Sequence, residues 1–190
     1  MSEIDSSTAA AAQQKLDAHV REIVQWHFSP ETGSPFWLDW ANKAGWNPAA
    51  EVKSFGGLEK FPHFQDEWLR DLQPEVWVPK KFKGRPFNIF ETGGTTGMPK
   101  QRIGWDDYKV DYEEFSAKLS DDHFPPGGAW LMVGPTGPRR LRLAIEHLAN
   151  FRGSCCYFID LDPRWVKKLI SNKKFDEAKA YMEHVVDQAS

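Results

Sequence analysis

Along the 190-residue chain, some segments place apolar residues at helical intervals, and others are short continuous apolar runs. Near the amino terminus, apolar residues recur at helical intervals, which predicts an amphipathic helix that runs to about His27. They are Leu16, Val20, Ile23 and Val24. The residues before this helix, 1–12, are polar and alanine-rich, and we expect them to be frayed.

A loop-rich stretch follows this first helix. Phe36, Trp37 and Trp40 belong to a segment that predicts a short aromatic helix, which Gly45 ends. Residues 47–86 show too little periodicity for longer elements, so the sequence predicts loops and short helices there. We expect the tryptophans of this part to pack in a core rather than to line a ligand pocket. They are Trp26, Trp37, Trp40 and Trp46.

The pattern changes at Phe87, where short apolar runs begin to alternate with amphipathic segments. "FNIFET" and "QRIGW" predict two strands around a loop, and "AWLMVG" and "SCCYFIDLD" predict two buried strands. A helix that ends at Gly153 separates the second pair, which is the order of a right-handed parallel crossover. The sequence therefore predicts an α/β fold. Residues 1–86 form a helical, loop-rich segment and residues 87–190 an α/β segment, both parts of one incomplete domain.

Three further helices are predicted in the second segment. The first could be capped by Asp106 or Asp107, and its apolar face would comprise Tyr108, Tyr112, Phe115 and Leu119. The second begins at Pro163. The third would place on one side Phe175, Ala178, Met182, Val185 and Val186.

Composition narrows the class of protein. A formal net charge of -3 gives no basic footprint for nucleic acid. The sequence contains neither an apolar run long enough to span a bilayer nor a secretory signal at its start. We therefore expect a cytoplasmic protein without nucleic-acid or membrane partners. The only cysteines, Cys155 and Cys156, are adjacent in an apolar run, which predicts packing in a buried strand rather than a disulfide.

The stretch "FETGGTTGMPK", residues 90–100, concentrates glycines and hydroxyl groups before one lysine. Backbone N–H groups that can turn inward, hydroxyl donors and a cation are what hold a phosphate group. The glycines are Gly93, Gly94 and Gly97, and the hydroxyls belong to Thr92, Thr95 and Thr96. Lys100 supplies a point charge. The Walker pattern is absent, so the residues predict a different phosphate loop between two strands, with a flexible hairpin turn as the alternative.

Residues 92–100, "TGGTTGMPK", resemble the signature loop of the adenylate-forming superfamily, the acyl-CoA synthetases and related AMP-binding ligases. The usual form of that loop is Thr-Ser-Gly-Thr-Thr-Gly-x-Pro-Lys. This chain differs at Gly93, where the family has serine, and at Gln101, where it commonly has glycine. The segments "HFSPETGSPFWL" and "FPHF" are similar to a phenylacetate-CoA ligase-like branch that includes adenylating proteins of phenazine biosynthesis.

The resemblance implies a reaction. A carboxylic acid, aryl by the branch likeness, would attack the α-phosphorus of ATP to give an acyl-adenylate and pyrophosphate, and coenzyme A could then take the acyl group. ATP, Mg²⁺ and coenzyme A are the implied cofactors. Lys100 is the implied catalytic residue. The implied ATP-binding residues are Thr92, Gly93, Gly94, Thr95, Thr96, Gly97 and Lys100.

In complete members of this superfamily, motifs for adenine, ribose and magnesium and a second lysine lie further along the chain, and we find none of them here. We therefore expect the front portion of a longer enzyme, which alone does not turn over. We also expect it to self-associate through an unpaired apolar strand edge. The alternative is a non-catalytic remnant or interaction module that keeps a weak phosphate site.

Other polar groups have simpler explanations than catalysis. Arg139 or Arg140 follows a predicted strand and could meet a substrate carboxylate, but a solvated basic turn is favoured. Asp160 and Asp162 could bind a metal, but helix capping before Pro163 is favoured. We find no metal-ligand spacing, and none of the six histidines pairs with an obvious nucleophile.

Overall fold

The computed structural model describes residues 6–94, 97–137 and 140–189. Contacts divide the chain into two compact units, Met1–Pro86 and Phe87–Ser190. Every strand of the described residues lies in the second unit. Among the described helices, none is both long and apolar enough to cross a membrane.

The first unit begins with helix α1 (Ser6–Phe28). Its start corrects the expectation of a frayed segment up to residue 12, because the alanine run at 9–12 has high helix propensity and continues the helix. On the side that faces the rest of the unit, Val20 and Val24 pack with Val52 in a buried cluster. Residues 1–5 lie outside the described part of the chain.

The predicted aromatic helix is confirmed as α2 (Pro35–Ala44). Ser34 caps its start by accepting a hydrogen bond from the backbone N–H of Trp37 at 3.4 Å. Gly45 ends the helix in the left-handed conformation, with φ 75°. The predicted loops and short helices follow as α3 (Pro48–Glu51), α4 (Trp68–Asp71) and 3-10 turns at Gly56–Lys60, Pro74–Trp77 and Lys80–Phe82.

Aromatic rings fill the centre of the first unit. The ring of Phe28 lies 5.8 Å from that of Trp37 and 6.2 Å from that of Trp40, measured between centroids. Trp40 in turn lies 6.1 Å from Trp46. These edge and tilted contacts are the geometry that aromatic cores favour, so the prediction of core packing is confirmed for these tryptophans.

The second unit begins with an antiparallel pair, β1 (Asn88–Glu91) and β2 (Gln101–Gly104). Asn88 pairs with Gly104, and Glu91 pairs with Gln101 at the end of the ladder. The two strands predicted on either side of the glycine-threonine loop are therefore confirmed.

Helix α5 (Asp107–Ser116) is shorter than its apolar pattern predicted, so Leu119 lies beyond it. The helix ends at Ser116, where the guanidinium of Arg152 donates a hydrogen bond to the carbonyl oxygen of Ser116 at 3.1 Å. Asp106 occupies the position before the helix, but its side chain makes no capping bond and instead pairs with Lys109 at 3.1 Å. Of the predicted apolar face, Tyr108 is buried, whereas Phe115 is exposed.

The predicted strand–helix–strand unit is confirmed. Strand β3 (Ala129–Gly134) and strand β4 (Cys155–Asp160) pair in parallel, with helix α6 (Arg140–Phe151) between them in sequence. Gly153 follows α6 in the left-handed conformation, with φ 71°. Residues 138 and 139, and with them the prediction for Arg139, lie outside the described residues.

One face of this two-stranded sheet packs on α6, and the other, the open face, is mostly exposed, although Ile159 on it is buried. On the packed face Met132 is buried, and the guanidinium carbon of Arg142 lies 5.2 Å from the ring centroid of Phe158. On the open face Leu131 is 52% exposed and Tyr157 is 65% exposed.

The prediction of a buried strand was therefore wrong for Cys155, which is exposed on the open face. Cys156 is half-buried, and burial is the main cause that raises the pKa of its thiol. The difference arises because α6 covers only one of the two faces along which the residues of β4 alternate.

Two helices end the described chain, α7 (Pro163–Ser171) and α8 (Phe175–Asp187). Asp162 caps α7 as predicted, since its Oδ1 accepts the backbone N–H of Arg164 at 2.9 Å. The backbone N–H of Asp162 donates to the hydroxyl of Tyr181 on α8 at 2.9 Å. The predicted apolar side of α8 is only partly buried. Ala178 and Val185 are inside, while Phe175, Met182 and Val186 are exposed.

Candidate functional site

The loop between β1 and β2 is closed at its base by Thr92 and Lys100. The backbone N–H of Thr92 donates to the carbonyl oxygen of Lys100 at 3.0 Å. The N–H of Lys100 donates to Oγ1 of Thr92, also at 3.0 Å. Since Thr92 directly follows β1 and Lys100 directly precedes β2, the loop leaves the hairpin from a fixed base.

The glycines within the loop have different backbone requirements. Gly94 has φ 64°, and a Cβ built there would lie 3.1 Å from the carbonyl oxygen of Gly97 and from the ring of Pro99. Gly97 has φ 144°. Gly93 is not among the positive-φ residues, and a Cβ there would meet nothing within 4 Å. Glycine is thus required by the backbone at Gly94, whereas a serine could fit at Gly93.

The structure brings together most of the predicted phosphate-binding residues. Thr92, Gly93, Gly94 and Lys100 all lie at the loop base or on its first turn. Gly97 lies on its return toward β2. Thr95 and Thr96 lie outside the described residues, so their assignment stays a prediction.

An open groove of about 590 Å³ separates this loop from helix α7. Gly93, Gly94 and Pro99 line it from the loop. From α7 it is lined by Arg164, Lys167, Lys168, Ile170 and Ser171. These helix residues were not predicted from the sequence to belong to a site. The signal that could have found them is the placement of three cations at i, i+3 and i+4, which puts them on one face of a helix.

Arg164 links α7 to β1, the strand that precedes the loop, by an ion pair. Its Nη1 lies 3.4 Å from Oε2 of Glu91, and its Nε lies 3.6 Å from Oδ1 of Asp162. The other carboxylate oxygen of Glu91 accepts a hydrogen bond from the side-chain amide of Gln101 at 3.3 Å. These contacts hold the guanidinium at the edge of the groove and offset much of its charge.

The two lysines of the groove are in a different electrostatic position. Within the described part of the chain, no carboxylate lies within ion-pair distance of Lys167 or Lys168. The Nζ of Lys168 lies 5.6 Å from the ring centroid of Trp165, close enough for a cation–π contact. The groove therefore carries positive charge that no described side chain neutralises.

A second cavity, of about 410 Å³, lies beside the same hairpin. Here Nη2 of Arg140 contacts Oδ2 of Asp107 at 3.0 Å and Oδ2 of Asp111 at 2.7 Å. These carboxylates, with the hydrogen bond to Asp111 foremost, raise the pKa of Arg140. Arg140 thus already binds two carboxylates of its own chain.

The acidic residues weighed as metal ligands have structural roles in this fold. Oδ1 of Asp160 accepts the backbone N–H of Thr136 at 2.9 Å, which fixes the turn after β3. Asp162 is the cap of α7. The described residues contain no group of three or more His, Cys, Asp or Glu side chains that could hold a metal ion.

The chain has an α/β fold, as the sequence predicted, and this fold matches part of a solved CoA ligase. It is similar to 2-hydroxyisobutyryl-CoA ligase in complex with 2-HIB-AMP in the postadenylation state, with a TM-score of 0.56 and 17% sequence identity. It is also similar to that ligase in complex with 2-HIB-AMP and CoA in the thioesterification state, with a TM-score of 0.53 and 20% identity.

In both comparisons the likeness covers 87% of this chain and 36% of the ligase, so the chain spans about a third of the ligase's length. At this level of identity the likeness establishes the fold. No protein-family profile matches the sequence, and no curated protein matches it either.

Proposed function

We propose that the chain is part of an adenylate-forming ligase, which uses ATP to convert a carboxylic acid to an acyl-adenylate and then transfers the acyl group to coenzyme A. The observation that carries this proposal is the glycine-threonine loop, closed at its base by Thr92 and Lys100 and bordering one groove with the cations of α7. The structural neighbours support it, because they were captured with an acyl-AMP and, in one case, with CoA.

The proposed roles follow from the chemistry of the loop. Gly93, Gly94 and Gly97 would let backbone N–H groups approach the β- and γ-phosphates of ATP. The hydroxyl oxygen of Thr92 accepts the N–H of Lys100, which leaves its own hydrogen to donate to a phosphate oxygen. Thr95 and Thr96 are proposed as further hydroxyl donors. The Lys100 ammonium would stabilise charge on the phosphoryl oxygens.

This arrangement suits a reaction in which negative charge gathers on phosphoryl oxygens. Donors that are already positioned stabilise such charge at little reorganisation cost. The acid's carboxylate would attack the α-phosphorus, and pyrophosphate would leave with the oxygens held by the loop. Mg²⁺ belongs to the proposed reaction, where it would neutralise phosphate charge. The described residues offer no ligand cluster for it, so we assign it no residues.

We further propose that the acid is aryl, as in the phenylacetate-CoA ligase-like branch and the adenylating proteins of phenazine biosynthesis. The support is the likeness of the segment at residues 27–38 to that branch. The structural neighbour, by contrast, carries the adenylate of a small hydroxy acid. A substrate panel should therefore contain both kinds of acid, with phenylacetate and 2-hydroxyisobutyrate as the matched pair.

The test is acid-dependent exchange of pyrophosphate into ATP, measured on the product of the full reading frame that encodes these residues. We expect exchange with at least one acid of the panel. Lys100→Ala should raise the barrier by about 1–3 kcal/mol, the scale of a lost charged hydrogen bond. Lys118→Ala, which removes an exposed lysine outside the loop and both cavities, is the matched control.

Two results would count against the proposal. Equal exchange rates for Lys100→Ala and the parent would remove Lys100 from the site. Absence of exchange with every acid would contradict adenylation and favour the alternative of a non-catalytic module.

A further inference from the structure

We propose that Arg164, Lys167 and Lys168 of α7 bind a diphosphate group in the groove that α7 shares with the glycine loop. The inference deepens the proposed function, on which it rests for the kind of ligand. It concerns residues about seventy positions beyond the loop that the loop pattern does not include.

The orientation of the helix is fixed. Positions 164, 167, 168 and 171 follow the i, i+3, i+4, i+7 spacing of one helical face, and all four line the groove. The opposite side is anchored by Leu169, which is only 2% exposed. The capping bond from Asp162 fixes where the helix starts. Packing and capping therefore determine which side of the helix faces the groove, and the three cations lie on that side.

The charge of this face is only partly balanced. Arg164 is paired with Glu91 and Asp162, whereas no described carboxylate pairs with Lys167 or Lys168. A diphosphate carries at least two negative charges at neutral pH and presents oxygens in several directions. Two lysines on one side and a glycine backbone on the other match that distribution.

A row of lysines on a helix is ordinarily a solvated surface. Here the row borders a groove whose opposite wall includes Gly94, a residue that cannot carry a side chain without close contact with Gly97 and Pro99. The backbone of Gly94 therefore borders the groove, which the cations also line, without an intervening side chain. A volume of about 590 Å³ exceeds what a diphosphate needs, so the groove can also admit part of a molecule attached to it.

The experiment uses the 190-residue chain and isothermal titration with sodium pyrophosphate at low ionic strength. The variant Lys167→Gln/Lys168→Gln should bind at least about tenfold more weakly than the parent, since two charged contacts are lost. The charge-preserving variant Lys167→Arg/Lys168→Arg should retain most of the affinity. Circular dichroism of each variant verifies that α7 and the rest of the fold persist.

The matched control is Lys173→Gln/Lys179→Gln, which removes the same charge from two exposed lysines that do not line the groove. Its affinity should equal that of the parent. If this control weakens binding as much as the groove variant does, the effect is one of net charge, and the inference is overturned. Failure of the folded parent to bind pyrophosphate overturns it as well.

Lys100→Gln, titrated in the same way, separates this inference from the proposed function. Weaker binding in Lys100→Gln with parent-like binding in Lys167→Gln/Lys168→Gln overturns the inference and leaves the loop assignment standing. The reverse result supports the groove and removes Lys100 from the phosphate site. Competition of pyrophosphate with ATP and with coenzyme A then distinguishes which of the two supplies the diphosphate.

Discussion

The hydroxyl of Thr92 replaces a backbone carbonyl as the partner of Lys100. At a hydrogen-bonded pair of a regular antiparallel ladder, each of the two residues donates its N–H to the other's carbonyl oxygen. Thr92 does so toward Lys100, but the N–H of Lys100 returns to Oγ1 of Thr92 at 3.0 Å. The ladder of β1 and β2 ends at this substitution, which lets the two backbones separate and open the loop.

We expect Thr92→Val to weaken the base of the loop, because valine keeps the shape but cannot accept the N–H of Lys100. The local free energy of opening should fall by about 0.5–1.5 kcal/mol, the net value of one hydrogen bond. Amide hydrogen exchange at Lys100, followed by NMR, measures it. Thr92→Ser, which keeps the hydroxyl, is the control. Unchanged protection in Thr92→Val would mean that the hydroxyl does not hold the loop.

Two neighbouring glycines should differ in their response to the same substitution. Gly94→Ala forces a side chain into a left-handed backbone and against Gly97, and it should cost about 1–2 kcal/mol of unfolding free energy. Gly93→Ala has open space and no positive φ, so it should be neutral.

Urea denaturation of both glycine variants provides the measurement, and equal costs would refute the difference in backbone requirement. Gly93→Ser, which introduces the serine of the loop that this sequence resembles, should bind pyrophosphate at least as well as the parent. A large loss of affinity would show that the glycine itself is needed.

The stability of the first unit should fall on mild acidification because of His27. This half-buried side chain lies 5.0 Å from the ring of Trp26, and burial lowers its pKa below the ordinary value of 6.5. The unfolded chain therefore takes up the proton first, and stability falls as the pH decreases from 6.5 toward the folded-state pKa, with no further loss from this group below it.

Urea unfolding at about pH 8 and about pH 5, followed by tryptophan fluorescence, tests this, with His27→Gln as the comparison. This range stays above 4.5, the ordinary pKa of a glutamate, below which Glu31 and Glu51 would begin to contribute. The variant should lose less stability than the parent between the two pH values. An identical loss would assign the effect to other groups.

Arg152 should be a major contributor to the stability of the second unit. Its side chain is only 8% exposed. Its Nη1 donates to the carbonyl oxygen and hydroxyl of Ser116, both at 3.1 Å, and its Nη2 donates to the carbonyl oxygen of Phe124 at 2.7 Å and pairs with Asp121. It thus fastens the segment after α5 to the end of α6.

Arg152→Met would leave these acceptors without their donor and should cost about 2–4 kcal/mol. Arg142→Met is the matched control, since among the described residues Arg142 makes a partly exposed 3.7 Å pair with Glu146 and a ring contact with Phe158. Thermal unfolding of both variants decides the matter. Similar melting temperatures would show that the guanidinium bonds contribute little.

The open face of the β3–β4 sheet should promote self-association. Leu131 and Tyr157 are register partners on that face and both are more than half exposed. Sedimentation velocity should show a concentration-dependent increase in mass, which Leu131→Glu/Tyr157→Lys reduces. Phe175→Glu, on an exposed residue of α8, is the control. A parent that stays monomeric throughout the concentration range would contradict this expectation.

The elements that local pattern determines were predictable. Glycines and threonines concentrated between two short apolar runs predicted the loop and both of its strands, since few other structures use that composition. The parallel pair followed from "AWLMVG" and "SCCYFIDLD" around an amphipathic helix. Local chemistry was likewise sufficient for Gly45 and Asp162, whose roles as helix terminator and cap depend on adjacent residues.

The features that were missed depend on distant partners. Arg164 reaches the groove through Glu91, 73 residues away, and no spacing rule encodes that contact. An apolar run in the sequence does not show whether one or both faces of its strand are covered by other elements, so Cys155 could not be distinguished from a buried residue. Leu119 was assigned to α5 because its spacing fits, whereas Arg152, 36 residues after Ser116, helps to end the helix earlier.

Helix α7 has a consequence for how this site can change in evolution. Each residue of an α-helix turns by about 100° relative to the last. Because Asp162 and Pro163 fix the start, one residue inserted before Arg164 would rotate all three cations away from the loop without altering the charge or the helicity of the segment. The number of residues between the cap, Asp162, and each cation therefore determines whether that cation lines the groove. Relatives that keep the number of basic residues in this helix but place them at other distances from the cap would lack the cationic groove. An alignment anchored on the capping residue would distinguish such relatives from those that keep the groove.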